Sequence, residues 1–378
     1  MASRIAIIQE TSESEPRVAA TPDTVRKFIG QGLSVTVETG AGLAASFPDA
    51  AYAEAGATVV ASASEALAAA DLVLKVRAPN PAEIAAMKPG AILAGLLNPY
   101  QDKPLLAALA ERKVTAFAME FVPRITRAQV MDALSSQANL AGYRAVIEAA
   151  EVYGRALPMM MTAAGTVAAA KIFVMGAGVA GLQAIATARR LGAVVTATDV
   201  RPAVKEQVES LGAKFVAVED EEFKAAETSG GYAKEMSVEY RAKQAALVSE
   251  HIKKQDIVIT TALIPGRQAP QLVSAEQVAS MKPGSVLVDL AVEQGGNVAG
   301  AVLGQVAVVG PAKIVGYANL AGRIAADASS LYARNLHAFA GLLFNKDGAL
   351  ATDLEDEILK AALLTKDGAI VHPAFQAA

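Results

Sequence analysis

The chain has 378 residues, too many for one ordinary core, and roughly one domain per ~150 residues predicts two or three. It has no cysteine and three histidines, none at ligand spacing, which excludes disulfides, a thiolate nucleophile and Cys-type metal sites. A net charge of −4 without a basic cluster argues against a nucleic-acid partner; hydrophobic content is 53%, but charges and turn residues interrupt the apolar runs.

The N-terminus enters a strand at once, Arg4 to Ile8, with no signal-peptide pattern, so a soluble cytoplasmic protein is expected. Gln9 to Glu15 follows as an acidic turn without glycine. A strand Ala70 to Leu74 comes next, then Met87-Lys88-Pro89-Gly90 ahead of a strand Ala91 to Leu96. A polar string, Pro123 to Arg144, leads into a breaker-poor helical segment, Ser135 to Tyr153. The second half repeats the plan. Strand Lys171 to Met175 opens it, strand Gln255 to Ile259 matches Ala70 to Leu74, and Met281-Lys282-Pro283-Gly284 precedes strand Ser285 to Leu290. A second breaker-poor segment, Arg323 to Leu343, comes after it.

The clearest local pattern is Gly176-Ala177-Gly178-Val179-Ala180-Gly181 between the strand ending at Met175 and a helix Leu182 to Leu191. Gly176 permits a tight turn, Gly178 lets backbone approach a pyrophosphate, and Gly181 lets helix pack on strand. The helix N-terminus adds free N–H groups and the positive end of a dipole. A second strand, Ala193 to Thr198, ends on Asp199, about 20 residues on, where a carboxylate accepts both ribose hydroxyls of NAD and repels a 2′-phosphate. The uncharged stretch Ile172 to Ala188 contains this loop and is shorter than the ~20 apolar residues a bilayer span needs.

Alternating strands and helices with an internal repeat predict an α/β protein of two Rossmann-like doubly wound parallel-sheet domains joined by two long interdomain helices. The expected domains are 1–137 plus 325–378, the C-terminal segment completing the first domain, and 138–324, which binds the dinucleotide. A cleft is expected between them. Only the second domain keeps a phosphate loop; the acidic first-half turn should repel a pyrophosphate, so one dinucleotide per chain is expected.

Taken alone, the string Pro123 to Arg144 supports two readings. In one, Asp132 or Ser135 caps the helix and Arg124 lies on the surface. In the other, these groups face a cleft and hold a nicotinamide, with Gln129 bonding its carboxamide or ribose and Arg124 pairing with Asp132 or reaching the pyrophosphate. His251 reads as a surface residue, His337 as packing and His372 as an anchor for the tail.

Arg124 to Arg144, Met159 to Thr166, the glycine loop, Gly230 to Met236, Thr260 to Gly266, Asp289 to Asn297 and Asp367 to Pro373 together resemble the soluble NAD(H)-binding component of proton-translocating nicotinamide nucleotide transhydrogenase. The likeness covers nearly the whole chain in order. It implies that Arg124, Gln129, Asp132 and Ser135 position the dihydronicotinamide. It also implies that Asp199, Val200 and Arg201 hold the adenosine ribose side, that Val179 and Leu263 line the cofactor beside Ala180, and that Gly231 and Tyr232 belong to a mobile loop closing over it, with Gln244 nearby. NAD(H) would be bound by this chain and NADP(H) by a partner subunit. Membrane-spanning partner subunits would carry the protons, and this chain would be a homodimer, peripheral on the cytoplasmic face of the inner membrane.

The same superfamily contains alanine dehydrogenase, the competing reading. Glu10, Arg17 to Pro22 and Lys75 resemble its N-terminal signature, but alanine dehydrogenases place a histidine near Leu96 and an aspartate where Glu293 stands. Oxidative deamination moves protons and needs such a group, whereas hydride transfer between two nicotinamides needs none.

Overall fold

The computed structural model describes residues 3–224, 236–264, 266–345 and 347–376. The chain divides into two compact units, residues 1–137 with 321–378, and residues 138–320.

In chain order the first unit forms β1 (Arg4–Ile7), β2 (Ser34–Glu38), β3 (Thr58–Val60), β4 (Leu72–Leu74), β5 (Ile92–Gly95) and β6 (Thr115–Ala118). The second unit forms β7 (Met160–Thr162), β8 (Gly165–Val167), β9 (Lys171–Met175), β10 (Val194–Thr198) and β11 (Lys214–Phe215). It continues with β12 (Ile257–Thr260), β13 (Ser285–Asp289), β14 (Val306–Val309) and β15 (Ala312–Val315). The chain then re-enters the first unit for β16 (Leu363–Lys366) and β17 (Ala369–Ile370).

The first sheet has the order β17-β16-β6-β5-β4-β1-β2-β3. Strands β1 to β6 are parallel, and the C-terminal strand β16 adds antiparallel to β6. The second sheet has the order β11-β10-β9-β12-β13-β15-β14, parallel apart from the edge strand β14. Both centres carry the doubly wound order in which the first strand lies between the second and the fourth. The central strands are buried on both faces, as parallel sheets covered by helices must be.

The sequence repeat has a physical job. Asp71, just before β4, accepts the Arg4 N–H (2.8 Å) and pairs with Lys88. Asp256, just before β12, accepts the Lys171 N–H (2.8 Å) and pairs with Lys282 (2.8 Å). In each unit the lysine of the Met-Lys-Pro-Gly turn thus braces the switch from the first strand to its neighbour.

The helix Ala133–Tyr153 contains the division between the units, which falls after Gln137. The second expected connecting helix, Ala325–Ala340, lies wholly in the first unit: the chain changes unit before it, and Tyr332, Leu336 and Phe339 pack into the first core.

Candidate dinucleotide site

The glycine turn sits at the carboxyl end of β9, beside β12, the switch point of the second sheet. Gly176 adopts φ +104°, and a Cβ there would come within 2.5 Å of Thr261 Oγ1, whose hydroxyl donates to Gly176 O (3.0 Å). At Gly181 a Cβ would lie 1.8 Å from Gly176 O and 3.4 Å from Val174 Cγ1. Its first duty is therefore to close the turn on itself; the helix-to-strand contact comes second. At Gly178 a Cβ would meet nothing within 4 Å. That open face above the N-terminus of the helix Val179–Arg190 is the approach a pyrophosphate requires, so the loop fits a dinucleotide.

Around this turn the carboxyl ends of β9, β10 and β12 present apolar side chains to solvent. Val179 is 40% exposed, Val200 58% and Leu263 47%. Ligand sites are lined largely by such apolar side chains. Ala180 lies on the same turn, and its carbonyl would sit 2.0 Å from a Cβ at Gly142, so the helix Ala133–Tyr153 packs directly behind the loop. Gly142 carried no sign of this role in the sequence, because the contact is with residues far along the chain.

Asp199 stands at the end of β10, but its carboxylate is engaged. Oδ2 accepts the Ala177 N–H (2.7 Å) and Arg201 Nη2 (3.0 Å), while Oδ1 accepts the Arg201 N–H (2.9 Å) and Nε (2.9 Å). Its charge is thus paired with the Arg201 guanidinium. Gln244 bridges Thr198 Oγ1 (3.2 Å) and the Val218 N–H (2.9 Å), tying β10 to the following chain. Gly231 and Tyr232 lie outside the described residues.

Asp289 and Asn297 make the block Asp289 to Asn297 a structural knot. Asp289 accepts the N–H groups of Ala291, Asn297 and Val298, and Asn297 bonds both the N–H and the carbonyl of Ala262 beside Leu263. His251 is not a free surface residue: its Nε2 meets Thr196 Oγ1 at 2.8 Å and its ring stands edge-on to Phe173. Its burial pushes the imidazole pKa down.

The remaining predicted residues belong to the first unit. Arg124 and Gln129 are exposed, and Gln129 lies on the short turn Thr126–Met131. Asp132 accepts the Ser135 N–H (2.8 Å) and the Ser135 hydroxyl (2.6 Å), capping the helix Ala133–Tyr153. Asp132 thus pairs with Ser135 and not with Arg124. Two residues the sequence did not mark hold this turn. Arg127 pairs with Asp356 (2.9 Å) and Glu357 (3.3 Å), and Asn335 donates to Val130 O (2.8 Å).

At the corresponding switch point of the first sheet there is no cradle. Glu10, after β1, accepts the N–H groups of Val76 (2.6 Å) and Arg77 (3.2 Å) after β4, and lies 3.3 Å from Lys75 Nζ. Lys75 is fully buried and also lies 3.1 Å from Glu83. Arg17 is held by Glu15 (2.6 Å) and Gln137 (2.8 Å). In the acidic first-half turn Glu10 and Glu15 fold inward and fill the crevice as ion pairs, while Glu13 is exposed. Leu96, where the dehydrogenase pattern calls for a nearby histidine, donates its backbone N–H to Tyr332 Oη (3.2 Å).

A glycine-turn βαβ unit ending in an acid at the switch point of a doubly wound sheet defines a Rossmann-type dinucleotide-binding protein. Residues 6–141 match the alanine dehydrogenase/PNT N-terminal domain, and residues 145–373 match the alanine dehydrogenase/PNT C-terminal domain. The chain belongs to this family. It is 55% identical over 378 residues to the first part of NAD(P) transhydrogenase subunit alpha of Rhodospirillum rubrum, covering 98% of each chain. A crystal structure of transhydrogenase from Sinorhizobium meliloti matches with a TM-score of 0.90 and 58% identity, over 98% of this chain and 100% of that one. Alanine dehydrogenase of Mycobacterium tuberculosis is more distant, 33% identical over 296 residues, 78% of this chain and 73% of that protein. Among the described residues no helix is long and apolar enough to cross a membrane.

Proposed function

We propose that this chain is the NAD(H)-binding component of a proton-translocating transhydrogenase, exchanging hydride between NAD(H) on its second unit and NADP(H) carried by a partner subunit. The observation that carries this reading is the contrast between the two switch points: an open glycine turn after β9, and ion pairs filling the crevice after β1. Among the described residues there is thus one dinucleotide cradle, and in this reading the second nicotinamide comes from another protein.

In this reading Gly176, Gly178, Ala180 and Gly181 shape the pyrophosphate cradle, Asp199, Val200 and Arg201 form the adenosine side, and Val179 and Leu263 supply apolar wall. Arg124, Gln129, Asp132 and Ser135 position the nicotinamide, and Gln244 supports the strand end beneath Asp199. When bound, the nicotinamide ring supplies the carbon that gives or takes the hydride. The chain's residues have only to orient it and exclude water, so no general acid or base is required.

Proton movement belongs to membrane-spanning partner subunits, with this chain peripheral at the cytoplasmic face of the inner membrane. A homodimer is supported by the hairpin β7–β8, on which Met160, Met161 and Val167 are exposed, as is Met159 just before it, an apolar surface suited to a second copy.

Titration of the isolated chain tests the reading. It should bind NADH in preference to NADPH and form no NADH from alanine and NAD; alanine-dependent NADH formation would establish the dehydrogenase instead.

A further inference from the structure

Asp199 is the ribose acceptor of the proposed NAD(H) site, and the inference drawn from it rests on that reading. An ionised carboxylate has about four lone-pair positions. In Asp199 all four are taken: two by backbone N–H groups, from Ala177 and Arg201, and two by the Nε and Nη2 of the Arg201 guanidinium. The backbone donors are fixed by the turn and the strand end. The guanidinium is on a flexible side chain, one-third exposed, whereas the Asp199 carboxylate is nearly buried, at 6%.

A vicinal diol donates two parallel O–H groups to a carboxylate, one to each oxygen. The Arg201 fork makes the same pattern, with Nε on Oδ1 and Nη2 on Oδ2. The two sets of donors therefore compete for the same lone pairs. A diol that engages both oxygens displaces the guanidinium, which then stands free beside the ribose 2′ position.

We propose that Arg201 is a specificity-determining residue of the dinucleotide site: it occupies the diol-accepting positions of Asp199 and is a latent cation for a 2′-phosphate. With Asp199 present, the guanidinium is tied to the carboxylate or sits next to it, so a 2′-phosphate gains one cation while meeting one anion. Rejection of NADP(H) then depends on the pair, not on the acid alone. Removing the acid leaves Arg201 to bind the phosphate, since guanidinium and phosphate match as a charge-assisted fork.

Nucleotide affinity measured by NADH and NADPH fluorescence titration tests this with the full chain as wild type, Arg201→Ala, Asp199→Asn and the double variant. Arg201→Ala should bind NADH about two- to fivefold more tightly, the scale of a partly exposed ion pair removed as competitor. Asp199→Asn should gain about tenfold in NADPH affinity, as one charged hydrogen-bonding contact would give. The double variant should lose that gain, and Asp199→Asn with Arg201→Lys should recover part of it through charge alone. Weaker NADH binding by Arg201→Ala overturns the competition. A double variant that binds NADPH as well as Asp199→Asn overturns the latent phosphate site. A wild-type chain that binds neither nucleotide overturns the NAD(H) reading and this inference together.

Discussion

Gly176, Gly178 and Gly181, to which the sequence assigns separate roles, answer to three different constraints in the structure. Gly176 needs a positive φ, Gly181 avoids a backbone oxygen 1.8 Å away, and Gly178 faces open space. Only the third is free of any demand from the fold, since its φ of −76° suits any residue. Gly178→Ala should therefore leave the thermal unfolding temperature within about 2 °C while weakening NADH binding by about tenfold or more, because the added methyl occupies the pyrophosphate approach. Equal losses of stability and affinity would make this glycine structural. The spacing of these glycines was legible because each constraint acts within a few residues of backbone. The Arg201 fork on Asp199 was not, because it depends on a side-chain conformation that no spacing encodes. Nor was the burial of Glu10 and Glu15, which depends on the buried cations Lys75 and Arg17 that the fold brings against them.

At the level of elements, long helices and the strands of the internal repeat stood out, since their periodicity is local. The antiparallel additions β14 and β16 did not, because strand pairing depends on partners such as β15 and β6 rather than on the strand's own residues. The repeat itself carries an energetic prediction. Burial works against ionisation of Asp71, but hydrogen bonds from Lys88 and the Arg4 N–H, with the nearby charges, outweigh it and hold the carboxyl below its ordinary value of 3.8. A carboxylate with a lowered folded pKa contributes stability above its unfolded value and loses it as pH falls through the folded one. Urea midpoints should therefore drop for the wild type as pH is lowered from about 5 to below about 3.8, and Asp71→Asn should be less stable at about pH 7 with a shallower acid decline. Parallel pH curves for the two proteins would remove the brace as a source of acid sensitivity.

For the molecule as a whole, the two units share a topology but not a task. The second keeps the glycine cradle; the first has its switch point closed by Glu10, Lys75 and Glu83, while its exposed turn Thr126–Met131 presents Gln129 from a base pinned by Arg127 and Asn335. If this chain supplies one nicotinamide and never both, hydride exchange needs two proteins. Single-turnover transfer of deuterium decides the matter, from NADPD bound to an NADP(H)-binding transhydrogenase subunit to NAD supplied with this chain. Label should appear rapidly in NADH when both proteins are mixed, and not at all with either alone. Label transfer by this chain without the partner, or no transfer in the mixture when both proteins bind their nucleotides, would refute the one-nicotinamide reading.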